Sequence, residues 1–285
     1  MKKSIQNKRL LGIFVGSIIA LCSIFIVSAG YSYAGRKGIT IKGSTTVLPI
    51  AQACAEAFMD KNPKVSISVQ GGGSGVGIAS IVDGTANIGD ASRPIKDKEI
   101  NNAKEKGVNP IGHVVAKDGI AVIVNPSNKI NTISRDQIKD IYTGTISNWS
   151  EIGGHGGKIV VISRDSASGT FEAFNELALK KAKVRPDALL QASNQAVATT
   201  VAKTPGAIGY AGLGYITSKI KAVTVDGIEC NKETVLSGVY PLSRPLFMYT
   251  NGNPQGEVKQ FIDFVLSNEG QKLVEENGYV GLNLK

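Results

Sequence analysis

The chain has 285 residues, of which 42% are hydrophobic and 19% charged, the composition of an ordinary globular protein with length for one large domain or two smaller ones. Its formal net charge is +9. Beyond residue 34 the balance is 28 basic against 23 acidic residues, a scattered excess with no basic stripe interleaved with aromatics, which excludes a nucleic-acid surface.

Taken in chain order, Lys2, Lys3, Lys8 and Arg9 precede an uncharged run from Leu10 to Ala29, and small residues follow at Ser32-Tyr33-Ala34. That order predicts a secretory signal cut after Ala34. The run is also long enough to span a bilayer, so an N-terminal membrane anchor within residues 1–34 stays open. A lipoprotein reading of Cys22 is weakened by Leu21 before it, where a small residue is expected. Each fate puts the rest of the chain outside the cytoplasmic membrane, in the periplasm or on the outer face.

The remainder alternates predicted strands and helices. "GITIKGS" (38–44) reads as a strand and "LPIAQACAEAFMDKNP" (48–63) as a helix stopped before Pro63. "VSISVQ" (65–70) alternates as a strand, "GVGIASIVDGT" (75–85) resumes helical spacing, "ANIGDAS" (86–92) is a short strand and "KDKEINNAKEKG" (96–107) a charged helix. "GHVVAKDGIAVIVNP" (112–126) is extended, with Gly119 expected to break it. "SRDQIKDIYTG" (134–144) is a helix capped by Ser134, "KIVVISR" (158–164) a strand, and "TFEAFNELALKKA" (170–182) an amphipathic helix whose basic end, "LKKAKVR", faces solvent. A helix, a Pro-Gly turn and a strand follow within 194–216, and helical periodicity fills 257–278. This alternation predicts an α/β fold with largely parallel sheets. If there are two domains, extended strands rather than a flexible tether join them.

Three places share one arrangement, a strand end, a Gly/Ser/Thr turn and a helix start: Ser44, Thr45 and Thr46; Gly73, Ser74 and Gly75; Ser168, Gly169 and Thr170. The first turn of a helix leaves N–H groups unpaired and carries partial positive charge, so each can seat an anion. Taken singly, each Ser or Thr reads as a helix cap. Caps need no guanidinium, however, and Arg164 offers a planar, permanently charged fork four residues before Ser168; Asp165 beside it could orient that fork.

Enzyme readings fare worse. The glycine cluster fails G-x-G-x-x-G at every register, no G-x-x-x-x-G-K-[ST] occurs, and Ser74 lacks the nucleophile-elbow pattern. The two histidines, His113 and His155, lie in no suggestive context, and no Cys/His spacing points to zinc. Nothing calls for a metal or a cofactor. Cys54 and Cys230 admit a disulfide on export, but Cys54 reads equally well as a buried thiol on an alanine-rich helix.

The set "GSTTVLP" (43–49), "QGGGSGVGI" (70–78), "IGDASR" (88–93), "YTGTISNWSEIGG" (142–154), "SRDSASGTFEAF" (163–174), "GAIGYAGLGY" (206–215) and "NEGQKLVEENGYVGL" (268–282) resembles the phosphate-binding proteins of high-affinity phosphate ABC transporters. The resemblance implies a type II periplasmic-binding-protein fold, two α/β lobes joined by two strand crossovers and closing over one inorganic phosphate for delivery to a membrane permease. It implies a non-enzymatic protein that acts as a monomer, with residues 35–117 plus 246–285 as one lobe and 118–245 as the other. Ser44, Thr45, Thr46 and Ser74 would hold phosphate from one side, and Arg164, Ser168, Gly169 and Thr170 from the other. The crossings would be the stretch around Lys117–Ala121 and "YPLSRPLFMYT" (240–250).

There is one departure. Where many members carry an aspartate that accepts the phosphate proton, this chain has Ser92, followed by Arg93, with Asp90 two residues earlier. Ser92 and Arg93 are therefore expected at the ligand, Arg93 equally fitting a pair with an acid on the rim, and the acceptor falls to Asp90, Asp165 or a carbonyl. A sulfate or other oxyanion carrier, a phosphate sensor and an exported phosphate-ester hydrolase built on the same seat remain the alternatives.

Overall fold

The computed structural model describes residues 38–282; the signal or anchor expected over 1–34 lies outside them. Strand β1 (Gly38–Gly43) leads through a turn into helix α1 (Leu48–Lys61), which buries Ile50, Ala51, Cys54, Ala55 and Phe58 along one face. That three- and four-residue spacing is the stripe expected of a helix packed on a sheet. Then come β2 (Ser66–Gln70), α2 (Ser74–Val82), β3 (Ile88–Ala91) and α3 (Asp97–Glu105). The long strand β4 (Pro110–Val124) is followed by β5 (Thr132–Ile133), α4 (Arg135–Thr143), β6 (Val160–Arg164) and α5 (Gly169–Leu177). The chain continues through β7 (Leu189–Gln191), α6 (Asn194–Lys203), β8 (Ala207–Gly212), β9 (Lys221–Val225) and α7 (Lys232–Leu236). It returns along β10 (Ser243–Asn251) and ends in α8 (Gly256–Leu266) and α9 (Asn268–Glu276).

The strands run in the order β2-β1-β3-β10-β4-β8-β6-β7. Pairing is parallel at both flanks (β1 with β2 and β3, β6 with β7 and β8) and antiparallel through the middle, where β10 pairs β3 and β4 and β4 pairs β8. The flanks answer the helix–strand alternation in the sequence. The antiparallel centre, which that alternation does not announce, comes from β10 returning alongside β4. Their ladder runs from Ser243 opposite Gly119 to Asn251 opposite Pro110, with one register slip between Leu246 and Phe247.

Two large hydrophobic cores sit at the two ends of this pair. One gathers Ile39, Ile41, Ile50, Phe58, Leu246 and Phe261; the other gathers Ile123, Tyr142, Phe174, Tyr210, Leu242 and their neighbours. In the second core the rings of Phe174 and Tyr210 stack at 3.9 Å between centroids. Cys54 lies in the first core and Cys230 in the second, both buried and both free thiols. Among the described residues no helix is long and apolar enough to cross a membrane.

Three local expectations are corrected. Gly119 does not break β4; a Cβ there would lie 2.6 Å from Cys230 Sγ and 2.7 Å from Val235, so the glycine admits close packing. Helix α5 ends at Leu177 rather than near 182, because Lys180 and Lys181 take positive φ and leave the helical region. The C-terminal periodicity divides into two helices at Ser267, whose extended backbone ends α8 and whose Oγ caps α9.

Asp90 is fully buried on β3, and its Oδ1 has no hydrogen-bond partner. Burial pushes its carboxyl well above the usual carboxylate range. The folded chain thus keeps a proton that the unfolded chain releases at about pH 4, so this group's contribution falls as pH rises through that value until the folded carboxyl ionises. Asp90→Asn is expected to flatten that slope, as read in urea melts from pH 4 to 8.

Candidate functional site

The three helix starts singled out in the sequence converge. Gly43, at φ 139°, turns the chain so closely that a Cβ there would meet the Asp90 carbonyl oxygen at 2.2 Å. Ser44 Oγ then accepts from the N–H groups of Thr46 at 3.1 Å and Val47 at 3.4 Å, so this serine caps the turn that leads into α1. Ser168 is likewise a cap, accepting from Phe171 N at 3.1 Å. Thr46 and Thr170 serve differently, because their hydroxyls face each other across the structure, while Thr45 Oγ1 accepts from Arg164 and Asn194. Thr46 Oγ1 lies 3.0 Å from Thr170 Oγ1, and the carbonyl of Thr45 accepts from Tyr215 OH.

Ser74 opens α2 behind Gly73, whose φ of 96° is one that favours glycine. Ser74 Oγ accepts from Ser92 N at 2.9 Å and sits 3.3 Å from Ser92 Oγ. Gly169 packs directly on this pair; a Cβ on it would fall 2.1 Å from Ser74 Oγ and 2.9 Å from Ser92 Oγ. Gly75 N donates to the Ala167 carbonyl at 3.0 Å. The α2 and α5 starts thus touch with no room for even a methyl group.

Arg164 ends β6, held in place by the hydrogen bond between Ser163 Oγ and Tyr210 OH next to it. Its fork is aimed by carbonyls: Nε donates to Gln191 O at 2.8 Å, and Nη2 to Ala192 O at 3.1 Å and to Thr45 Oγ1 at 3.4 Å. Nη1 is buried without a partner. Burial lowers this guanidinium from its ordinary value, yet an arginine stays charged through such a shift. Asp165 does not orient the fork; its Oδ1 accepts from Ala167 N at 2.9 Å and shapes the loop.

Arg93 is not brought into the cluster. Its guanidinium is taken by Glu99, at 2.7 and 2.8 Å, and by Glu172. The second guanidinium among the hydroxyls belongs to Arg244 on β10. Its Nη2 donates to Thr46 Oγ1 at 3.2 Å and Thr170 Oγ1 at 3.1 Å, and its Nη1 to the carbonyl and hydroxyl of Ser92. Asp118 on β4 holds it, with Oδ2 accepting from Nε at 3.0 Å and Nη2 at 2.8 Å, while Oδ1 accepts from Leu213 N. Burial pushes the Asp118 carboxyl up, and Arg244 pulls it back down. Asn194, at the start of α6, donates at 3.0 Å to the hydroxyls of both Thr45 and Thr46.

Arg244, Asp118 and Asn194 are the residues that sequence reasoning missed. A signal existed for the first two: Arg244 and the adjacent Lys117-Asp118 are charges within mostly apolar extended stretches, and a charge in a buried strand requires a partner. Asn194 carried none, since it looks like any residue opening a helix.

The cluster holds two guanidinium groups and one carboxylate, with three helix N-termini and a ring of hydroxyls around them. Every member is nearly inaccessible to solvent, from Thr46 and Ser74 at 0% to Thr45 at 6% exposed. A buried surplus of positive charge next to helix N-termini favours an anion. No histidine joins it. His113 bonds Thr250 at 2.9 Å and His155 lines a separate pocket with Trp149, so neither is placed as a base for Ser74 or Ser168.

A family profile for the PBP superfamily domain matches residues 29–269. The phosphate-binding protein PstS of Bacillus subtilis (strain 168) is 37% identical over 244 residues, which are 85% of this chain and 80% of that protein. The phosphate-binding protein PstS of Borreliella burgdorferi is 34% identical over 277 residues, or 91% of this chain and 97% of its own. A crystal structure from Clostridium perfringens, described as a phosphate ABC transporter substrate-binding protein with bound phosphate, superposes with a TM-score of 0.81 at 38% identity, covering 86% of this chain and 100% of that one. An ABC-type phosphate transport receptor from Vibrio cholerae superposes at 0.72 with 32% identity, over 86% of this chain and 100% of its own.

Proposed function

This chain belongs to the PBP superfamily, in its family of phosphate-binding proteins, and from that premise we infer that it binds inorganic phosphate and delivers it to an ABC-transporter permease. The observation that carries the reading is the buried, unpartnered Nη1 of Arg164, set among hydroxyls in a cluster with surplus positive charge. An oxyanion in contact with Arg164, Arg244, Thr45, Thr46, Thr170, Ser74 and Ser92 exchanges its hydration for donors already in place. Ser44, Ser168 and Gly169 shape the seat rather than supply its charge.

We assign residues 35–117 plus 246–285 to one lobe and 118–245 to the other. What supports this is the membership of the two cores, which changes along β4 and β10, Val280 of the C-terminal segment being the exception that packs into the second core. Contacts made by one ligand to both lobes favour the closed form. The relatives are named as binding proteins, which supports carriage rather than turnover. The apolar run behind four basic residues in 1–34 supports action outside the cytoplasmic membrane.

Calorimetry on the purified chain without residues 1–34 tests the reading: phosphate is expected to bind tightly, and no binding would sink it. Sulfate is expected to compete, weaker by about a hundredfold or less. The one carboxylate in the cluster, Asp118, is taken up by Arg244 and Leu213 N, and hydroxyls that donate or accept penalise a missing proton far less than a committed buried acceptor. Rejection of sulfate by about ten-thousandfold would show that a carboxylate reaches the ligand.

A further inference from the structure

Arg93 sits one residue beyond Ser92, and Glu172 two residues beyond Thr170. Arg93 and Lys96 lie in the loop between β3 and α3, whose Ala91, Ile95 and Ala103 pack in a small core of their own with Ile78, Ile81 and Tyr249, while Glu172 is in the first turn of α5, rooted in the second core through Phe174. The Glu172 carboxylate is shared: Oε2 pairs with Arg93 Nε, and Oε1 with Lys96 Nζ at 2.7 Å. Glu99 engages the other edge of the Arg93 fork bidentately and also accepts from Lys96 N at 2.9 Å. Side-chain exposure is 6% for Arg93, 18% for Glu172 and 38% for Lys96. These residues wall a cleft of about 680 Å³ that reaches Ser92 and Arg244.

We propose that Glu172, bridging Arg93 and Lys96, is an electrostatic latch that holds the closed form over bound phosphate and sets its rate of release. The inference rests on the phosphate reading above. An ion cluster joining elements rooted in different cores forms only when those elements meet, so it adds to the closed state and nothing to the open one. Placed beside the seat without touching it, the latch acts on dissociation: opening must break it, whereas capture by the open form does not involve it. Since the cleft brings solvent to its edge, salt screens it.

Glu172→Gln is the clean variant, because Arg93 keeps its bidentate Glu99 partner and Lys96 can hydrate, so no buried charge is orphaned. Stopped-flow release of phosphate from the whole exported chain is expected to be about tenfold faster in Glu172→Gln, with the association rate nearly unchanged. Release from the wild type should quicken with sodium chloride, and release from the variant should not. Lys96→Met should show a smaller effect, absent in the Glu172→Gln background. Unchanged release, or an equal salt response in both proteins, overturns the latch. If the wild-type chain binds no phosphate, the functional reading fails by itself; the latch is then judged by solution scattering, where Glu172→Gln must enlarge the radius of gyration and an unchanged radius overturns it.

Discussion

Replacing Arg164 with alanine is expected to weaken phosphate binding by at least about a hundredfold in calorimetry, the scale of removing one partner from a desolvated charge contact. Three observations set that size. The guanidinium is 2% exposed, so little water competes with the ligand for it. Its orientation is fixed beforehand by the carbonyls of Gln191 and Ala192, so little side-chain freedom is lost on binding. Its Nη1 has no other partner to satisfy. Arg164→Lys should recover only part of the loss, since an ammonium cannot keep both carbonyl contacts and still present a fork. A lysine variant with wild-type affinity would mean that charge alone matters here, and an alanine variant with wild-type affinity would remove Arg164 from the seat.

Asp118→Ala is expected to produce the largest loss of stability, about 3–5 kcal/mol, because it leaves Arg244 buried and uncompensated. For a chain of this size that corresponds to a fall in melting temperature of about 10 °C. The companion experiment is the double variant Asp118→Ala, Arg244→Met, which removes both charges and should regain much of the loss. Thermal melts of the single and double variants decide the matter. If the double variant is no more stable than Asp118→Ala alone, the aspartate does more than neutralise Arg244. These two residues link neighbouring central strands, so the loss should appear as one cooperative transition at lower temperature, without a separate early step.

Much of the architecture was legible along the chain, for reasons that can be located. The i, i+4 spacing of Ile50, Cys54 and Phe58 and the alternation of Ile39 and Ile41 record burial against one sheet face. Ser134 announces its helix because a cap is a local device, bonded three residues away to Gln137 N. The seat was legible where it too is local: the residues of a helix start lie within a few positions of one another, and three such starts share a pattern. What escaped are contacts between residues distant along the chain. Arg244 reaches Asp118 across 126 positions and Asn194 reaches Thr45 across 149; no periodicity encodes either. Arg93 shows the converse, a choice that the sequence leaves open between the ligand and an acid on the rim. Adjacency to Ser92 suggested a ligand contact, but the side chain after a strand end can turn either way, and two glutamates decide its direction. Gly119 was read through backbone freedom when its reason is the sulfur of Cys230 against its face.

The slipped rung between Leu246 and Phe247 gives the paired strands a property of their own. Just before it comes Pro245, which has no N–H to donate, and just before that Arg244, whose guanidinium lies among the hydroxyls. A ladder with a bulge and a missing donor side by side is more pliant there than along its regular stretches. The compliant point of the β4–β10 pair therefore lies next to a guanidinium of the proposed seat, a short lever arm on which a force at Arg244 would become torsion of the strand.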